Sequence, residues 1–197
     1  PVSNTAATVS ERDDRCKQNS IEEMFAIAHH LFVLKAYGVP GDFVEFGCFK
    51  GYSSSMLSLA CSLIGTRMHI YDSFEGLPSQ SPDNYYQPGD FAGGFDEVRS
   101  HIAAFGSLAT VTTHKGFFCD SLLREPPPPM QCLWMDVDLT SSVSDIMTVV
   151  DRRDPRGALF SHECLPGHFS VDGTVLRDGI LEPVCDTFNK LDVPLSG

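Results

Sequence analysis

Apolar positions recur along this 197-residue chain in two alternating rhythms. Ile21, Met24, Phe25, Ala28, Leu31 and Phe32 fall at helical spacing, and Gly38 and Pro40 stop that helix. Ser20 and Glu23 stand at its start with the spacing of a capping box. Residues 42–47 (DFVEFG) read as a strand that ends in a glycine turn, and residues 53–64 as a helix with Met56, Leu57, Ala60, Leu63 and Ile64 apolar. A second strand is predicted over 67–73, a helix over 95–105 and a third strand over 109–116. The proline run 126–129 is a stiff spacer leading into a buried strand over 130–139. Ser141 or Ser142 caps a helix through Val150, residues 157–164 form another strand, and a weak final helix falls near 177–190. Residues 1–18 are polar and aperiodic and read as a tail, leaving 19–197 as one domain without internal repeats.

Strands separated by helices predict an α/β fold: a mostly parallel sheet with right-handed crossovers and helices on both faces. Such sheets bind ligands beyond the carboxyl ends of their strands. The polar residues expected there are 45–51, Asp72, 114–116, Asp136 with Asp138, and His162 with Glu163. Two Gly/Pro-rich loops, 77–94 and 165–173, are placed to close over a substrate. The first brings Tyr85, Tyr86 and Phe91 as lining, and the second offers His168 as a substrate contact.

Composition removes several function classes. A net charge of −12 gives no basic footprint for nucleic acid. No apolar run approaches the roughly 20 residues of a membrane span, and no apolar leader follows Pro1. The seven cysteines are odd in number, widely spaced and form no CxxC pair. They read as small buried residues in a reducing, cytoplasmic setting, with no disulfide framework or zinc–thiolate site.

The first glycine turn carries the candidate chemistry. Gly47 lets the backbone turn after the strand, Gly51 admits a close approach at the next helix, and Ser53 and Ser54 can hold a carboxylate there. The spacing is not the GxGxxG of dinucleotide sites, and Glu45 ahead of it suits a cationic ligand better than a pyrophosphate. Asp72 closes the second strand, where a carboxylate commonly accepts ribose hydroxyls.

Glu45-Phe-Gly with Gly51-Tyr-Ser53 resembles the cofactor motif of catechol O-methyltransferase-like enzymes. The wider pattern resembles the macrocin O-methyltransferase family: residues 72–78 (DSFEGLP), then 115–118 (KGFF), then 136–139 (DVDL), in order from about residue 40 to 164. The resemblance implies a class I S-adenosylmethionine (SAM) methyltransferase, Rossmann-like, acting on a hydroxyl of a sugar or other small natural product. It implies that Glu45, Gly47, Gly51 and Ser53 line the methionine end of SAM, that Asp72 binds the ribose and that Phe49 also belongs to the cofactor site. Ser73, Phe74 and the turn from His114 through Gly116 and Phe117 would surround the adenine, and Asp136 completes the pocket. Two further antiparallel strands are implied after the last helix, whereas the sequence ends at Gly197 before any hairpin pattern.

In the resembling family an Asp at position 136 joins two adjacent acids after the next strand to hold Mg²⁺. Here Ser161-His162-Glu163 stands at that place, and imidazole suits Mn, Fe, Ni or Zn better than Mg. Three outcomes are open. Asp136, His162 and Glu163 hold a divalent metal; or His162 is the general base, oriented by Glu163 or Asp138; or metal and catalysis are both lost, leaving a SAM-binding module that works with a partner. His29 and His30 read as helix-face residues. A homo-oligomer is also expected, from an uncovered sheet edge.

Overall fold

The computed structural model describes residues 19–79 and 86–162. Helix α1 (Ile21–Ala36) starts where the capping box predicts: Ser20 Oγ accepts from Glu23 N at 3.1 Å, and Glu23 Oε2 accepts from Ser20 N at 2.6 Å. The chain then alternates through β1 (Asp42–Phe46), α2 (Tyr52–Ile64), β2 (Met68–Asp72), α3 (Phe95–Phe105) and β3 (Val111–Lys115). It continues through α4 (Phe118–Arg124), β4 (Met130–Met135), α5 (Thr140–Met147) and β5 (Arg153–Ser161).

The five strands form one parallel sheet in the order β3-β2-β1-β4-β5. Strand alternation sends β1 side chains to opposite faces. Phe43 packs with Met68, Ile70, Cys132 and Trp134 under α1, α2 and α3, while Val44 and Phe46 pack with Tyr71, Leu133 and Met135 under α4 and α5. Helices therefore cover both faces, which is the class I SAM-methyltransferase, Rossmann-like arrangement.

Four elements differ from the pattern read in the sequence. Helix α5, expected to be capped by Ser141 or Ser142 and to run through Val150, has Leu139 at its N-cap with no side-chain cap bond and ends at Met147. The strand over 130–139 stops at Met135: Asp136 N still bonds Phe46 O (3.0 Å), and the chain leaves the sheet beyond that bond. Helix α4 is seven residues long, too short to show an apolar period. Strand β5 begins at Arg153, four residues early, because a register shift opposite Met130–Cys132 absorbs the charged stretch around Pro155. Cys48, Cys61 and Cys132 are buried as expected, but Cys119 is exposed. Among the described residues no helix is long and apolar enough to cross a membrane. The loop 165–173 and the helix near 177–190 lie outside the described residues.

Candidate functional site

Strand order reverses between β1 and β4, and a doubly wound sheet opens a crevice at that switch point. Four backbone bonds extend the ladder just past the strand ends: Gly47 N to Tyr71 O (3.0 Å), Gly116 N to Asp72 O (2.9 Å), Asp136 N to Phe46 O (3.0 Å) and His162 N to Met135 O (2.9 Å). These bonds fix where each loop leaves the sheet. Above them lies a cleft of about 750 Å³, walled by the glycine turn, the 72–79 segment, the start of α4 and the 136–145 segment.

Gly47 forms the base of this crevice. Its φ is +82°, and a Cβ there would overlap Asp136 O, so only glycine lets the two strand ends approach. Asp72 binds the same turn from the neighbouring strand. Its Oδ2 accepts from Cys48 N and its Oδ1 from Phe74 N, each at 2.7 Å. Burial pushes the Asp72 carboxyl up, and these backbone N–H groups pull it back down.

Three phenylalanines near the cleft have left-handed backbones: Phe49 (φ 46°), Phe74 (φ 56°) and Phe91 (φ 59°). A bulky residue in that region is strained, and strain of this kind gathers at ligand sites. Phe49 and Phe91 pack edge to face at 6.2 Å in the cleft wall, with Tyr86 against Phe91 at 5.3 Å. Tyr85 lies outside the described residues.

Of the residues expected around the ligand, Gly47, Phe49, Asp72, Ser73, Gly116, Phe117 and Asp136 all line the cleft, joined by Asp138. Glu45, Gly51, Ser53 and Phe74 do not. Glu45 is fully buried beneath α2, where Ser53 Oγ donates to Oε1 at 2.5 Å and Ser54 Oγ donates to Oε2. Burial raises its carboxyl to about 8; the two serine bonds work against that rise, and Asp136 and Asp72 add to it. Glu45 therefore anchors the start of α2 from inside the core. Phe74 is buried against Phe95 at 5.0 Å. His114 is turned from the cleft, stacked on Tyr71 at 4.2 Å and bonded through Nδ1 to Glu125 Oε2 at 2.8 Å.

Asp136 and His162 stand at neighbouring strand ends, and both are met by α1. Asn19 Nδ2 donates to Asp136 Oδ2 at 2.7 Å, and His162 Nδ1 lies 3.1 Å from Glu23 Oε1. No motif signal pointed to either contact, because they span 117 and 139 residues of sequence. Burial pushes the Asp136 carboxyl up, while the Asn19 bond and the nearby His162 pull it down. His162 is not part of the cleft wall; its ring lies edge-on to Trp134 at 6.2 Å. Among the described residues no three His, Cys, Asp or Glu side chains converge where a metal ion could sit. Glu163 and His168 lie outside the described residues, so the expected Asp136–His162–Glu163 set is not assembled from them.

The sequence model of the macrocin O-methyltransferase (TylF) family matches residues 22–160. A tetracenomycin-type relative from Streptomyces olivaceus, 8-demethyl-8-(2,3-dimethoxy-alpha-L-rhamnosyl)-tetracenomycin-C 4'-O-methyltransferase, is 30% identical over 136 residues, covering 62% of this chain and 52% of its own. The chain thus spans about half the length of that relative. The O-methyltransferase NovP shares the fold with a TM-score of 0.72 at 22% identity, over 90% of this chain and 75% of its own. The O-methyltransferase from Bacillus cereus in complex with SAH superposes with a TM-score of 0.62 at 15% identity, over 97% and 78% of the two chains.

Proposed function

Because the chain belongs to the macrocin O-methyltransferase (TylF) family, we propose that it binds SAM in the cleft at the switch point and methylates a hydroxyl group of a sugar or other small natural product. One observation carries this reading. Asp72 and Asp136 line the cleft beside Gly47, and among the described residues no Lys, Arg or His lines it. A crevice walled by carboxylates favours a sulfonium and an ammonium group over a pyrophosphate.

In this reading Asp72 accepts the ribose hydroxyls. The backbone N–H groups of Cys48 and Phe74 hold the carboxylate in place for this. Asp136 takes the methionine ammonium group, with Gly47 keeping the backbone out of its way. Ser73, Gly116 and Phe117 form the adenine side, and Phe49 and Phe91 close the rim. Glu45, Ser53 and Gly51 act one layer behind, by fixing the start of α2.

The acceptor oxygen attacks the methyl carbon as the C–S bond breaks, and a neutral thioether leaves. The site must orient the oxygen in line and take its proton. Orientation supplies up to roughly 7–11 kcal/mol in good cases. Asp138 faces the cleft two residues beyond Asp136 and is the general base in this proposal. That moves the role from His162, whose ring turns to α1 and whose Nδ1 is engaged by Glu23.

The resembling family's metal would supply Lewis-acid activation of the acceptor oxygen. The described donors do not gather for it, and Asp136 and His162 are each engaged by α1.

The test is transfer of a labelled methyl group from SAM to a panel of hydroxylated glycosides. The reading expects turnover that Asp138→Asn lowers at least about 100-fold with SAM binding retained. Binding without turnover on any acceptor would favour the module that only binds SAM. Full activity in Asp138→Asn would return the base to another group.

A further inference from the structure

The residue just ahead of the α1 N-cap reaches the carboxyl edge of the sheet through a buried carboxamide. Asn19 is 4% exposed, directly precedes the N-cap Ser20, and donates from Nδ2 to Asp136 Oδ2 at 2.7 Å. The reciprocal Ser20–Glu23 bonds fix the backbone at the N-cap, and so fix the direction in which Asn19 leaves the chain. The second oxygen of Glu23 meets His162 Nδ1 at 3.1 Å, which ties the first turn of α1 to the end of β5. Among the described residues Asp136 Oδ2 takes its side-chain bond from Asn19, and Oδ1 takes none. The main chain of Asp136 is already held by Phe46 O, so its side-chain torsions are what remain to be set.

We propose that Asn19 is a positioning residue for the cofactor: it holds one oxygen of Asp136 so that the other faces the methionine ammonium group of bound SAM. This rests on the reading that Asp136 takes that group. A carboxylate free to rotate lowers affinity through lost order, and a hydrogen bond to a charged partner is stronger than one between neutral groups. The effect is confined to the amino-acid end of the ligand, because Asn19 touches Asp136 and not the nucleoside side of the cleft.

Two ligands separate this role from a general effect on folding. S-adenosylhomocysteine and 5′-methylthioadenosine share the nucleoside and the thioether, and only the first carries the amino acid. Calorimetric titration of the full chain is expected to show tighter binding of S-adenosylhomocysteine by the wild type. Asn19→Ala should weaken it about 10-fold while leaving 5′-methylthioadenosine within about 2-fold, and Asn19→Ser, which restores a shorter donor, should recover part of the loss. A parallel loss for both ligands, or unchanged S-adenosylhomocysteine affinity in Asn19→Ala, overturns the proposal. If Asn19→Ala does not fold, the ratio of the two affinities in Asn19→Ser decides in the same way. A wild type that shows no preference between the two ligands overturns the Asp136 reading itself, before any substitution is made.

Discussion

Ser53 Oγ donates to Glu45 Oε1 at 2.5 Å inside the core, joining β1 to the first turn of α2. An acid buried there is tolerated because two hydroxyls and the positive end of a helix surround it. The same residue would look like a ligand contact if only its place before the glycine turn were known.

Burial raises the Glu45 carboxyl from 4.5 to about 8. The folded state then holds this proton more tightly than the unfolded chain. Its contribution to stability is present at low pH and is lost as pH rises toward 8. We expect Glu45 to give a downward slope of up to about 1.4 kcal/mol per pH unit between roughly pH 4.5 and 8. Glu45→Gln, neutral throughout, should flatten that part of the profile. Urea unfolding of both proteins across this range measures the difference, and parallel profiles would contradict the assignment.

Gly47→Ala should be among the most damaging small changes in the chain. Its Cβ would collide with Asp136 O, and backbone on both sides must shift to relieve the clash. A loss of about 3 kcal/mol or more is expected, since the left-handed φ adds its own cost. Chemical denaturation gives the stability. Calorimetry should show loss of S-adenosylhomocysteine binding even under conditions where the variant stays folded.

Cys119 is the exposed thiol among the four described cysteines, and it stands in the cleft wall beside Phe118. Partial desolvation by its neighbours and the Asp120 carboxylate hold its thiol above the usual range, so it should alkylate slowly at neutral pH. Saturating S-adenosylhomocysteine should slow modification at this position further. Peptide mapping after timed iodoacetamide treatment, with Cys119→Ser as control, reads the protection site by site. Equal rates with and without the ligand would place the ligand elsewhere.

Much of the sheet was legible because its signals are local. The Ser20–Glu23 spacing announced α1, and the run DFVEFG announced β1 and its turn. The place of Asp72 in the cleft wall was legible too, since a strand-end acid some 20 residues past a glycine turn falls at the crevice. What escaped depends on distance in sequence. Nothing near Asn19 tells that it meets Asp136, or near Glu23 that it meets His162. The burial of Glu45 also escaped, because a buried acid and a cleft-lining acid look alike until the strand's face is known. In β1 that face is shared with Phe43 and lies beneath α2.

The most direct test of a cation-binding nucleoside cleft is calorimetric titration of S-adenosylhomocysteine into the wild type and Asp72→Asn. The substitution keeps the size of the side chain but removes one acceptor oxygen and the charge. The wild type should bind, and Asp72→Asn should bind roughly 10- to 100-fold more weakly with an unchanged circular dichroism spectrum. Equal affinity in the two proteins, or no heat of binding to well-folded wild type, would contradict the account.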